Sequence, residues 1–149
     1  MDLVRKAIGC AAALTTPDGR VLLVRRAYPP HDWVMPGGNA EAGESLHATL
    51  RREVLEELGL AIEAERMSGV YYQADHRAEE FIHFVFVGSI PANPSVKPAA
   101  DEIAEWALFT RDALPEPMSA STRRRLSDAL TGNWPTLPVE IDRRSERSA

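Results

Sequence analysis

The sequence predicts an α+β domain, an α/β/α sandwich with a mixed β-sheet and one helix on each face. Three observations carry this reading. The segments run strand, strand, helix, strands, helix. The two helical segments are amphipathic, and an amphipathic helix must bury its apolar stripe against a sheet or another helix. The chain has 149 residues, the size of one domain with a real core, and shows no internal repeat.

Residues 3–15, LVRKAIGCAAALT, are small and apolar and read as a buried strand, with Cys10 a core residue. Thr16-Pro17-Asp18-Gly19 is a turn, because Pro presets φ and Gly accepts a positive one. Residues 21–27 form the second strand of a hairpin and end in Arg25 and Arg26. Strand side chains alternate in direction, so at most one of these two faces a given cleft. One of them can reach a substrate phosphate, and the alternation does not say which. Residues 28–35, YPPHDWVM, form a loop. Tyr28 and Trp33 can stack on a base, and His31 can make a polar contact. Trp33, followed by an apolar pair, reads equally as a short buried strand.

Residues 38–60, GNAEAGESLHATLRREVLEELGL, are the centre of the chain. Pro36-Gly37-Gly38 before them is a tight loop whose backbone can approach a ligand. Ser45 is the expected helix N-cap and Gly59 the expected stop. Leu46, Leu50, Val54 and Leu58 recur every four residues as an apolar stripe. Glu53, Glu56 and Glu57, at i, i+3 and i+4, share the neighbouring face. Like charges at that spacing repel. Three carboxylates kept together ask for a cation, and an all-oxygen set suits Mg²⁺ first and Mn²⁺ second.

Residues 61–73 read as a strand, 75–80 as a charged hairpin loop, and 81–90, FIHFVFVGSI, as a strong strand with His83 as a sheet residue. A proline-rich loop over 91–100 leads to Asp101, Glu102 and Glu105. Residues 104–109 form a short strand and 119–130 an amphipathic helix with Arg123 to Arg125 on its wet face. The domain is expected over 1–134, with 135–149 a charged, poorly ordered tail.

The net charge is −5 and the pI about 5.4. A nucleic-acid scaffold binder would show a basic face instead. An acidic chain can still bind a phosphorylated small molecule when metal ions supply positive charge. The lone Cys10 excludes an intrachain disulfide and suits a reducing compartment. No stretch approaches the roughly 18 apolar residues of a membrane span. The expectation is a cytoplasmic protein, monomer or homodimer, with no membrane partner.

The 38–60 stretch resembles the signature of the Nudix hydrolases, G-x5-E-x7-R-E-U-x-E-E-x-G-U, with U a bulky aliphatic residue. Gly38, Glu44, Arg52, Glu53, Val54, Glu56, Glu57, Gly59 and Leu60 fill every specified position. The resemblance implies the Nudix fold, with this stretch as a loop–helix–loop. It also implies metal-dependent hydrolysis of a diphosphate bond in a nucleoside diphosphate linked to another moiety. Glu53, Glu56, Glu57 and a Gly37 or Gly38 carbonyl would hold the metal. Arg52 would orient a carboxylate, and Glu44 would be a more distant metal or helix-positioning residue. The general base stays open among Glu53, Glu57, Glu102 and Glu105. The marks that relatives carry for ADP-ribose, dinucleoside polyphosphate, NADH or coenzyme A substrates are missing or misplaced here. A non-catalytic nucleotide sensor is the alternative, although sensors commonly lose carboxylates that this chain keeps. An isomerase of the same fold finds no supporting cysteine and glutamate motif.

Overall fold

The computed structural model describes residues 1, 3, 5–74 and 80–142. In chain order the elements are β1 (Ala7–Thr15), β2 (Val21–Arg26), β3 (Trp33–Val34), β4 (Gly37–Asn39), α1 (Leu46–Leu58), β5 (Arg66–Ala74), β6 (Glu80–Ser89), β7 (Ile103–Phe109), α2 (Ala120–Thr131) and β8 (Val139–Asp142). They build one sheet in the order β3-β2-β1-β6-β5-β8, with β4 also on β1 and β7 also on β2. β1 and β6 run parallel from Ala7↔Phe81 to Thr15↔Ser89, and β5 and β8 are parallel as well. The other pairings are antiparallel, so the sheet is mixed as expected.

Strand alternation divides the core in two. Cys10, Ala12, Leu14, Leu22 and Val24 face α1 and pack with its Leu50, Val54 and Leu58. Ala13, Val21 and Leu23 point the other way and pack with Leu126 and Ala129 of α2. Leu50, Val54, Leu58 and Leu126 are fully buried. Burying each such side chain contributes about 1.5–3 kcal/mol. The four-residue spacing of the α1 stripe is therefore what fixes that helix to its face of the sheet.

Both helices start and stop where their capping residues stand. The Ser45 hydroxyl accepts from the Ala48 N–H at 3.1 Å, and Gly59 takes the left-handed conformation at φ 65°. Ser119 caps α2 in the same way, and Gly132 ends it at φ 75°. The last α1 carbonyls, which lack intrahelical partners, are met from the proline-rich loop. Lys97 N–H donates to Leu58 O at 2.8 Å, and Ala99 N–H to Glu57 O at 2.9 Å. These two bonds dock the approach to Glu102 onto the helix that carries Glu53 and Glu57.

Several expected boundaries move. β1 begins at Ala7 rather than residue 3. β5 begins at Arg66, and residues 61–65 are irregular although Ile62 is buried in the core. Gly37–Asn39 is a short strand on β1 rather than only a loop. The expected hairpin loop lies at 75–79 outside the described residues, and Glu80 already belongs to β6. The tail expectation is corrected for Val139–Asp142, which form β8 beside β5. Val139 and Ile141 pack on the α2-side core, and that alternating apolar pair gives the segment something to bury. Residues 143–149 lie outside the described residues. Among the described residues, no helix is long and apolar enough to cross a membrane.

Candidate active site

One turn of α1 places Glu53 and Glu57 on the same side, and the docked loop brings in Glu102. One carboxylate oxygen from each lies within 4.8 Å of the others. Two glycines make the close approach feasible. Gly37 sits at φ 153°, and a Cβ there would come within 2.0 Å of the Cys10 carbonyl oxygen. A Cβ on Gly38 would come within 2.3 Å of the Glu53 carboxyl carbon. Gly37 also donates its N–H to Glu57 Oε2 at 3.4 Å.

The electrostatics of the cluster are those of crowded acids. Glu57 is buried, and that burial pushes its carboxyl up to about 8. Glu53, Glu102 and Glu56 push the same way, while the Gly37 N–H opposes them. Burial also raises Glu53, against the pull of Arg52. A cation entering between these oxygens would displace protons and relieve the repulsion.

Arg52 ties the helix to the loop before it. Its Nε and Nη2 donate to the two Glu44 oxygens at 2.7 and 2.9 Å. Nη1 donates to Glu53 at 2.9 Å and to Glu56 at 3.3 Å, and Nη2 to the Asn39 carbonyl at 3.0 Å. Arg52 holds the Glu44 carboxyl down at about 2. Glu56 is thus not brought into the cluster with Glu53 and Glu57. It is more than half exposed and paired with Arg52.

Glu57 and Glu102 open on a cleft of about 360 Å³ whose lining also includes Gly37, Gly38, Arg26 and Tyr28. Of the two arginines at the end of β2, Arg26 lines this cleft, and Arg25 pairs with Glu105 at 3.1 Å. Alternation and a register shift in the β2–β7 pairing between Arg25 and Arg26 separate them. Tyr28 is half exposed, with the Arg26 guanidinium 5.6 Å from its ring centroid. Trp33 does not line the cleft, which corrects its expected stacking role. It is buried in the α2-side core, edge-on to Phe109 at 5.0 Å.

The cleft also takes residues that had no expected role. His83 and Phe81, alternate residues of β6 with stacked rings, both line it. Arg125 was expected on the wet face of α2 but lines the cleft and bonds Thr122 Oγ1 at 3.3 Å. Its spacing held the signal, because Thr122, Arg125, Leu126 and Ala129 form one inward stripe.

The family model described as the NUDIX domain matches residues 5–130. A MutT-like protein of Streptomyces ambofaciens is 30% identical over 86% of this chain and 79% of its own length. An 8-oxo-dGDP phosphatase of Homo sapiens is 32% identical over 73% of this chain, which spans only 34% of that protein. The crystal structure of a MutT NUDIX hydrolase from Burkholderia pseudomallei superposes with a TM-score of 0.71 at 29% identity. That match covers 83% of this chain and 98% of the other. Nudix hydrolases generally use divalent metal ions. The chain belongs to the NUDIX family, and with it to the hydrolases that act on phosphorus-containing anhydrides.

Proposed function

We propose that the chain hydrolyses the diphosphate bond of a nucleoside diphosphate linked to another moiety, with Mg²⁺ or Mn²⁺ as its cation. The observation that carries this reading is the Glu53–Glu57–Glu102 cluster, with one oxygen of each within 4.8 Å of the others, whose Glu57 and Glu102 line a cleft that also contains Arg26. The donor set fits a hard cation, being all oxygen, partly buried, and anionic once a cation displaces its protons. The human relative's name, an 8-oxo-dGDP phosphatase, supports a nucleotide as substrate.

Glu53 and Glu57 would hold the cation, and Glu102 closes the cluster from the loop. Glu56 would join them on leaving Arg52, and the Gly37 backbone supports Glu57. Bound there, the cation supplies charge neutralisation for the diphosphate and acidifies a water molecule. Arg52 fixes Glu44 and Glu53 and keeps the cluster in place as charge develops. Arg26 contacts a phosphoryl oxygen, and Tyr28 offers its exposed ring to a base. Glu102 takes the proton from the attacking water, because it comes from a loop outside α1 and reaches the cluster from another side.

A panel of nucleoside triphosphates, dinucleoside polyphosphates and nucleoside diphosphate derivatives, with Mg²⁺ or Mn²⁺ and products separated by chromatography, tests the reading. Metal-dependent release of a nucleoside monophosphate or of phosphate from one class is the expected result. Tight nucleotide binding without turnover across the panel would move the assignment to a sensor.

A further inference from the structure

One buried carboxylate near the cleft stands apart from the metal cluster. Asp32 is 6% exposed. Its Oδ1 accepts from Arg26 Nε at 2.6 Å and lies 2.5 Å from Arg26 Nη2. The main chains are joined as well, since the Arg26 N–H donates to the Asp32 carbonyl at 3.0 Å. A tight turn returns the chain for this contact. His31 N–H donates to Tyr28 O at 2.9 Å, and His31 adopts the left-handed conformation at φ 56°.

The pair is asymmetric. The Asp32 side chain is 8% exposed and that of Arg26 29%. The asymmetry leaves part of the guanidinium open to an approaching ligand. Here the carboxylate anchors one edge of the guanidinium, and the group as a whole borders two cavities. One holds Glu57 and Glu102. The other, about 440 Å³, is lined by Gln73, Ser119, Ser121 and Thr122. A free arginine samples many rotamers, whereas a guanidinium held through Nε and Nη2 on one buried carboxylate oxygen samples fewer, so less entropy is lost when an anion arrives.

We propose that Asp32 is a positioning residue that fixes the Arg26 guanidinium as the contact for the phosphoryl group not held by the Glu53–Glu57–Glu102 cluster. The inference rests on the reading of Arg26 given above. Asp32 itself touches no substrate. Its neutralisation frees Arg26 to swing toward solvent, and its effect on ligand binding vanishes when Arg26 is absent.

The probe is inorganic pyrophosphate with Mg²⁺, titrated calorimetrically into the folded protein. Thermal melts check each variant. Arg26→Ala should weaken binding about tenfold or more, as expected for a lost charged hydrogen bond. Asp32→Asn should weaken it several-fold, and Arg26→Lys, which keeps the charge but loses the hold through Nε and Nη2, should do the same. The double variant Arg26→Ala with Asp32→Asn should bind no worse than Arg26→Ala alone. Arg26→Lys keeps the test alive if Asp32→Asn does not fold. Wild-type protein that binds no pyrophosphate, or Arg26→Ala binding like wild type, would remove Arg26 as the phosphoryl contact and this inference with it, whereas metal-dependent turnover in the substrate panel would leave the functional reading standing. With Arg26→Ala weakened, wild-type binding by Asp32→Asn or Arg26→Lys would overturn the positioning role alone. So would additive losses in the double variant.

Discussion

Arg52 grips both carboxylate oxygens of Glu44, eight residues earlier in the chain, at 2.7 and 2.9 Å. The pair links the N-terminal approach of α1 to the turn that carries Glu53. Glu44 is held at about 2, against an ordinary 4.5. Its folded state therefore releases the proton more readily than the unfolded chain does. The stabilisation is complete above about pH 4.5 and is lost as the pH falls toward 2. The difference in Tm between wild type and Glu44→Gln should be widest above pH 4.5 and close on acidification. An equal difference from about pH 6 down to about pH 3 would remove the pair from the account.

Metal removal should abolish hydrolysis, and added Mg²⁺ or Mn²⁺ should restore it. Calorimetric melts should also rise with Mg²⁺, by about 2.7 kcal/mol at a hundred times the dissociation constant. Full turnover in the presence of EDTA would refute the mechanism.

Charge-neutral substitutions on α1 should separate binding from folding. Glu57→Gln and Glu56→Gln should each lose at least about a hundredfold in kcat with the fold intact. Glu57→Gln should also raise the Tm of the metal-free protein, because it removes a buried acid among like charges. The same readout for Glu56→Gln should move little, since Glu56 is exposed on Arg52. Wild-type turnover by Glu57→Gln would displace the cluster from the site.

The loop acids should not be equivalent. Glu102 joins the cluster, Glu105 holds Arg25, and Asp101 is exposed. Glu102→Gln should lower kcat far more than Asp101→Asn or Glu105→Gln, with a smaller change in KM. Near-wild-type kcat for all three would return the general base to α1.

Two aromatic residues close in sequence, Tyr28 before β3 and Trp33 in it, should report opposite properties. Trp33→Ala leaves a cavity beside Phe109 and should cost about 3–5 kcal/mol of stability. Tyr28→Ala should change stability little and raise KM. Denaturant melts and steady-state kinetics on the same pair decide this, and a stable Trp33→Ala with a raised KM would reverse the assignment.

Much of α1 was legible in the sequence, because its information is local. Ser45 and Gly59 mark the ends, and the period of Leu46, Leu50, Val54 and Leu58 fixes the buried face. The spacing of Glu53 and Glu57 follows from the helix itself. Arg52 and Glu44 also stood in the sequence pattern. The strand alternation that separates Arg25 from Arg26 was legible too, but its phase relative to the cleft was not. The β2–β7 register decided that Arg26 faces inward. The same limit applied to Trp33, whose ring could meet a base or a core until β3 paired with β2 and brought it against Phe109. Glu102 is far from α1 in sequence and reaches it only because residues 97 and 99 bond the helix's last carbonyls. β8 needed the edge of β5, Arg125 needed the cleft beside α2, and Asp32 needed the return of the chain onto Arg26. Helix caps and side-chain periods act between near neighbours, so the sequence alone determined them. Which distant side chains share a cleft depends on strand register and loop docking, and those exist only once the sheet has closed around its two cores.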